Sequence, residues 1–314
     1  MDKVTISTYQ FLKRFPDETT ARRYLEDRRW NGSPVCPHCG SVGKMHKQSR
    51  NGTEGYYRCP DCSQVFTVRT GTIFERSHVP LDKWLYAIYL IVTSRKGISS
   101  LQLSKELGVT QKTAWFMLQR IRAACEERRD DDDDGNGFLR GIVEADETYI
   151  GGKETNKHES KKLKAGRGTV GKVAVIGLRE RGGQVVASVI GSTSAITIRA
   201  MVRNTVASGS MLCTDEHASY TGMPEYAHHV VNHSAKQFVD GMAHTNGIES
   251  VWAVLKRGFY GVYHSFSEKH LQRYVNEFAY RLNEGNVRVH TMDRIDALLA
   301  KTRGKRMTYK ALIA

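Results

Sequence analysis

The chain has 314 residues, is 40% hydrophobic, and carries 47 Lys and Arg against 33 Asp and Glu, a formal charge of +14. That apolar content excludes wholesale disorder, and the length predicts two domains, or three if some are small. The charge excess says nothing about fold but favours a polyanionic partner, either nucleic acid or an anionic membrane surface. Insertion into a bilayer is disfavoured, because the longest strongly apolar run, Trp84–Val92, is nine residues long and a span needs about 20. The opening segment, MDKVTISTYQFLKRF, has neither the apolar core nor the small-residue cleavage site of a signal peptide. Four of the six cysteines fall in CxxC pairs, so a reducing, cytoplasmic compartment is expected.

Residues 1–80 read as an entry module. Asp17–Arg29 is a short helix with Ala21, Tyr24, Leu25 and Arg28 on one side. CPHC at Cys36–Cys39 is followed, after 19 residues, by CPDC at Cys59–Cys62. Four thiolates at this spacing suit a closed tetrahedral zinc site, which has no open position and is therefore structural. Two disulfides, or His38 or His46 as ligands, are the competing readings. Pro follows the first cysteine of each pair, and Gly40 or Ser63 follows the second, as tight turns require. Tyr56–Arg58 and Val65–Val68 look like short ribbon strands.

Residues 81–129 are helical. Leu81–Val92 has the apolar density of a buried helix. In Ile98–Cys125, Ser99 or Ser100 can cap a first helix that ends at Leu107, and Gly108 can make its C-terminal turn. Thr110 caps a second helix, with Ala114, Met117, Leu118 and Ile121 as the inward stripe. The pair matches a DNA-binding helix-turn-helix, in which Gln111, Lys112 and Thr113 lead the recognition helix. A plain αα-hairpin is the alternative, and for Arg120 and Arg122 a solvated surface is as open as a DNA contact. Residues 130–137, five aspartates followed by GNG, read as an acidic hinge.

Residues 138–300 read as an α/β domain, followed by a basic tail, 301–314. Gly141–Ile150 is a strand whose alternation puts Glu144 and Asp146 on one face and Glu147 on the other. Lys172–Arg179 and Gln184–Ile190 form a hairpin around Arg181-Gly182-Gly183. Ala195–Val206 is a helix, Met211–Thr214 a strand ending at Asp215, and His228–Asn232 a further short strand. Ala243–Lys256 is a helix in which Ile248, Val251, Trp252 and Leu255 form the core stripe, while Glu249, Ala253 and Lys256 share another face. Ser267–Asn283 is a final helix with Leu271, Tyr274, Phe278 and Leu282 facing inward. Strands then helices in this order are compatible with a mixed sheet flanked by helices, as in the ribonuclease H-like fold.

Asp146, Asp215 and Glu249 thus form a series at strand ends and on a following helix. Ligands gather at such strand ends. Three crowded carboxylates need cations between them, and hard oxygen donors suit Mg²⁺ or Mn²⁺. Acids at sheet edges are common, so this spacing alone leaves a solvated edge equally open. Lys153–Lys172 carries seven Lys or Arg against two Glu. Lys153, Lys161, Lys162, Lys164 and Arg167 in that loop could clamp phosphates, or simply be solvated.

In its motifs the chain resembles bacterial insertion-sequence transposases of the DDE superfamily, in the subgroup with an N-terminal zinc ribbon. The matching residues are RRWNG before CPHCG, CPDC, TGTIF at Thr70–Phe74, PLDKW at Pro80–Trp84, ADETYIGGK at Ala145–Lys153 and RGTVGK at Arg167–Lys172. TDEHASY at Thr214–Tyr220, HTNGIESVWAVLKR at His244–Arg257 and GKRMTYKALI at Gly304–Ile313 continue the match. Each motif is loose, but together they run nearly end to end. The resemblance implies that Asp146, Asp215 and Glu249 are the acidic triad, with 33 residues between the last two. It implies Lys256 as a supporting lysine and Asn246 as a rival for the third position. It also implies structural Zn²⁺, catalytic Mg²⁺ or Mn²⁺, and double-stranded DNA (element ends and target) as the partner of a homodimer or larger assembly. Glu147 and Glu216, next to the triad aspartates, are expected to point away from the metals. A DNA-binding regulator with an inactive domain and a nuclease that cuts without joining are the rival functions.

Overall fold

The computed structural model describes residues 4–50, 52–126, 139–152, 158–162, 169–231 and 244–314. They fall into two units, Met1–Cys125 with Gly285–Ala314, and Glu126–Glu284. The acidic run at 130–137 lies outside the described residues.

In the first unit, α1 (Thr8–Arg14) and α2 (Glu18–Trp30) are capped by Ser7 and Asp17, the latter accepting from the Thr20 N–H at 2.7 Å. Asp17 is therefore the cap rather than the first helical residue. A three-stranded antiparallel ribbon follows: β1 (His46–Arg50), β2 (Thr53–Arg58) and β3 (Val65–Phe66). So small a sheet buries little on its own, and Trp30 supplies the missing mass. Its ring meets Tyr57 and Phe66 edge-on at 5.2 and 5.8 Å. Helix α3 (Leu81–Thr93) is buried on nearly all sides, and Tyr89 stacks on Phe11 at 4.5 Å. Helices α4 (Ser100–Leu107) and α5 (Gln111–Ala124) are capped by Ser99 and Thr110, and Gly108 takes the left-handed turn between them at φ 60°.

The ribbon and these helices share one compact unit with α9 (Thr291–Ala300) and α10 (Tyr309–Ile313). Within 301–314, the Thr302 carbonyl accepts from Ile73 N–H at 3.3 Å, and Gly304 N–H donates to the Gly71 carbonyl at 2.8 Å. Arg120 and Arg122 are only 5% and 1% exposed. Arg120 reaches the core because its guanidinium finds three carbonyls, those of Ile73, Glu75 and Met307, at 2.8–3.1 Å.

The second unit is a five-stranded sheet of β4 (Ile142–Ile150), β5 (Val173–Glu180), β6 (Val185–Ile190), β7 (Met211–Thr214) and β8 (Ala227–Val230). Its order is β6-β5-β4-β7-β8, with β5 antiparallel to its neighbours and β7 parallel to both β4 and β8. Helix α6 (Ala195–Thr205) covers one face, where Ile198 and Val202 pack on Val143, Ala145, Leu178 and Leu212. Helices α7 (Asn246–Gly258) and α8 (Leu271–Asn283) supply the core of the other, where Ile248, Trp252, Leu255 and Phe278 pack with Ile150 and Val175. The alternation along β4 sorts its side chains between these two layers. Leu282, expected inward, is 37% exposed; the buried residues of α8 include Tyr274, Val275 and Phe278.

Gly177 on β5 is paired with Asp146 on β4, and a Cβ there would stand 2.5 Å from the Trp252 ring. The indole approaches the strand this closely only because that position is bare. Gly177→Ala is expected to cost about 1–3 kcal/mol, the usual penalty for overpacking. Denaturant unfolding would measure it, and an unchanged midpoint would contradict the close approach.

Candidate active site and metal centre

The metal centre is the simpler of the two. Each CxxC sits in a tight turn. Gly40 N–H donates to the Cys36 carbonyl at 2.9 Å, Cys59 N–H donates to that of Gln64 at 3.0 Å, and Gly40 and Ser63 both have positive φ. The four sulfurs all lie within 4.8 Å of one another, with Cys36–Cys62 at 3.6 Å and Cys39–Cys59 at 3.7 Å. A disulfide is about 2.05 Å long, so these are free thiols. Tetrahedral zinc with Zn–S of about 2.3 Å places its sulfurs roughly 3.8 Å apart. The backbone N–H groups of Cys62 and Asp61 lower the Cys59 thiol, while Cys39 and Cys62 are raised, so that without a metal the cluster shares its protons unequally. His38 and His46 are not needed.

The carboxylates collect where β7 runs out beside β4. The β4–β7 register ends at Glu144 opposite Cys213, whereas β4 stays paired with β5 as far as Ile150. Asp146 is therefore not at a strand end, as the sequence suggested, but just past the end of its parallel neighbour. Asp215, the first residue after β7, comes close enough for its charge to act on Asp146. One Asp146 oxygen accepts from the Trp252 indole N–H at 2.9 Å, and the other from the Glu147 N–H at 2.8 Å. Burial, reinforced by the charges of Glu147 and Asp215, pushes Asp146 up to about 7 despite those two donors. Asp215 accepts from the His217 N–H at 3.0 Å.

Glu147 points to the α6 face, opposite Asp146, as alternation requires. It does not leave the site, however. It is raised by burial and by Asp215, opposed by the Tyr220 hydroxyl and His217. Its Oε1 is buried without a hydrogen-bond partner. Glu216 is exposed. Glu249 lies in the first turn of α7, exposed, accepting from the Thr245 hydroxyl at 3.2 Å. Ala253 and Lys256 are exposed with it, on the face the periodicity indicated, and Asn246 is exposed too. Trp252, one turn on from Glu249, ties this helix to Asp146. Among the described residues only the four cysteines form a group of three or more ligand atoms within 4.8 Å. Asp146 and Asp215 are near enough for their charges to interact, and Glu249 is tied to them through Trp252 on its own helix.

What sequence reading missed is the anchor of α7. Glu144, 1% exposed, accepts from the Ile248 N–H at 2.9 Å and from Arg181 at 3.1 Å, and the His244 ring, itself bonded to Arg181, lies 3.2 Å away. A Cβ on Gly247 would fall 2.4 Å from a Glu144 oxygen. The only sequence signal was a glycine in the first turn of a helix together with an acid on the Asp146 face.

The residues expected to meet DNA are variously placed. Gln111 donates to the Ser100 hydroxyl at 2.9 Å, Lys112 rests over the Tyr309 ring at 4.7 Å, and Thr113 supplies its N–H and hydroxyl to Thr110. Lys162 pairs with Glu159 at 2.6 Å. Lys153, Lys164 and Arg167 lie outside the described residues, as does the side chain of Lys161. His228 is a bonded histidine, 2.9 Å from the Thr214 hydroxyl, and burial holds its pKa down. No helix among the described residues is long and apolar enough to cross a membrane.

Comparison with known proteins matches residues 138–283 to the ISXO2-like transposase domain and residues 16–65 to a transposase zinc-ribbon domain. An uncharacterized protein in the transposable element ISH50 of Halobacterium salinarum is 29% identical over 282 residues, covering 86% of this chain and 92% of its own. Among solved structures, a chain of a pre-cleavage Mos1 transpososome matches at 15% identity, covering 65% of this chain and 75% of that one. Its TM-score of 0.18 is too low to bear on the fold.

Two outcomes follow from the site. Stripping zinc should release the metal from the four cysteines and loosen the ribbon, and protease digestion should then cut within 36–62. A ribbon equally resistant without metal would contradict the assignment. Asp146 is raised on folding, so its contribution to stability is present below the ordinary carboxylate range and is lost as pH rises to about 7. Asp146→Asn should therefore melt above the parent in divalent-free buffer, by a margin that widens up to neutrality. A margin independent of pH would show that Asp146 does not titrate there.

Proposed function

The chain belongs to the ISXO2-like transposases that carry an N-terminal zinc ribbon, and from this we propose that it is a DDE-type enzyme of DNA transposition. It binds the terminal inverted repeats of its element, hydrolyses a phosphodiester at each end, and joins the freed 3′-OH to target DNA. The single observation that carries this reading is that Asp146, just past the end of β7, is near enough to Asp215 for their charges to interact, while Trp252, one turn on from Glu249, bonds Asp146. The sheet order, with its second strand antiparallel to the rest, supports a ribonuclease H-like domain. The α4–Gly108–α5 unit supports a helix-turn-helix that leads with Gln111, Lys112 and Thr113.

The donor set fits hard divalent cations. Asp146 and Asp215 would hold them with Glu249 as third ligand, Asn246 being its rival for that role. A buried carboxyl raised to about 7 gains most from a nearby cation. Bound Mg²⁺ or Mn²⁺ would supply Lewis-acid stabilisation to the entering and leaving oxygens of an in-line displacement at phosphorus. The protein's own part is positional. Trp252 and the Glu147 N–H fix the Asp146 carboxylate, and Glu144 fixes the start of α7 and with it Glu249. Lys256, on the exposed face with Glu249, orients or neutralises a phosphate. Lys153, Lys161, Lys162, Lys164 and Arg167 offer further cations to the backbone. Action on two ends calls for a dimer or larger assembly on DNA, in the cytoplasm and on the nucleoid.

Strand cleavage and joining with Mg²⁺, on labelled element ends and a plasmid target, tests this. Asp146→Asn, Asp215→Asn and Glu249→Gln should each reduce cleavage by at least about 10²-fold, the scale of losing one preorganised electrostatic stabiliser, while end binding persists. Full cleavage in any of the three would remove that residue from the triad. Cleavage by the parent without joining would mean a nuclease, and no cleavage at all a regulator.

A further inference from the structure

The last ten residues or so of the chain lie along α5, the helix read above as the recognition helix. The contacts form a ladder running against the helix direction. Lys305 Nζ donates to the Ala123 carbonyl at 2.8 Å, Arg120 donates to that of Met307 at 2.9 Å, and the Tyr309 ring meets Phe116 edge-on at 5.5 Å. The strap thus starts at the C-terminal end of α5 and finishes near its N-terminal turn, where the Lys112 ammonium sits over Tyr309 at 4.7 Å. There the chain turns into α10, capped by Thr308, and its next residue, Lys310, is exposed. Neither Gln111–Ala124 nor Gly304–Ala314 contains an acid; of their Lys and Arg, Arg120 and Arg122 are buried, Arg306 pairs with Glu75 at 2.8 Å and Lys305 is held by the Ala123 carbonyl, so Lys112 and Lys310 are the cations this face presents. Two acid-free segments, far apart in sequence, are thereby packed side by side, with Lys112 and Lys310 both open to solvent.

We infer that this C-terminal strap is part of the DNA-binding face: Tyr309 is a positioning residue that holds the stem of Lys112, and Lys310 adds a phosphate contact beside the leading turn of α5. The inference rests on the reading of α4–α5 as the DNA-binding element. The occupant is duplex DNA because the face is cationic and hydrogen-bonding rather than apolar. Of its apolar residues Leu312 is buried and Phe116 is half-buried against Tyr309, while Ile313 is exposed. A strap that merely covered α5 would bury Lys112 or neutralise it with an acid, and it does neither.

The test is binding of the full-length zinc-loaded protein to a fluorescein-labelled duplex of random sequence across a salt series. Losing one phosphate contact lowers the slope of log affinity against log salt by about 0.9. Lys310→Ala, at an exposed site that folding does not need, should lower the slope by that amount and weaken binding. Tyr309→Ala should weaken binding too, and Tyr309→Phe, which keeps the ring under Lys112, should restore it. If Lys112→Ala lowers the slope but Lys310→Ala and Tyr309→Ala do not, the strap is only a brace and the inference fails while the recognition-helix reading stands. If none of the three has an effect, both fail. Tighter binding by Lys310→Ala or Tyr309→Ala would mean that the strap masks the helix, and would also overturn the inference.

Discussion

The second unit depends on one buried charge. Glu144 projects from the central strand into a space where it is 1% exposed, and its carboxylate is met by the first turn of α7, by Arg181 and by His244. A carboxylate so placed is tolerable only when its lone pairs are occupied, and removing one partner from such a buried pair typically costs about 3–5 kcal/mol. The constraint is reciprocal. The helix can begin only where its N–H groups meet Glu144, and only with a bare Gly247 passing the carboxylate. One turn in, Glu249 is exposed on the free face, and almost one turn further Trp252 bonds Asp146. A structural acid thus sets the register of a helix whose other residues border the candidate chemistry.

The second constraint is where strands stop. Asp146 and Asp215 meet because β7 ends at Thr214 while β4 continues, so that the parallel neighbour yields to a loop beside the acid. Continued, the register that sets Cys213 opposite Glu144 would set Asp215 opposite Asp146 and pair its backbone instead. Burial at that edge also sets the electrostatics: the same desolvation that raises Asp146 makes a cation favourable there. Glu147 shares this field from the opposite face, which shows that alternation decides the direction of a side chain but not its distance from a neighbouring loop.

In the first unit the organising problem is size. A ribbon of three short strands and four cysteines cannot bury a core by itself. It borrows Trp30 from α2, and its flanking turn, at Gly71–Ile73, is closed by Thr302 and Gly304 from the far end of the chain. Arg120 shows the same economy. Composition cannot reveal that three main-chain carbonyls will converge on one guanidinium.

By itself the sequence determined what local chemistry and periodicity control. The CxxC spacing specified the metal centre, since four thiolates at that separation have few other arrangements. Ser99, Gly108 and Thr110 marked the helix ends of α4 and α5. The alternation in β4 and the stripe in α7 placed Glu144, Asp146, Glu249 and Lys256 on their observed faces. Tertiary structure alone decided everything that joins distant residues: that β7 stops beside Asp146, that Glu144 and Gly247 lock α7 in place, that Gly177 makes room for Trp252, and that the C-terminal residues return to line α5. Those outcomes depend on which elements become neighbours. A periodic pattern records only which side of an element is apolar, and leaves open what that side will meet.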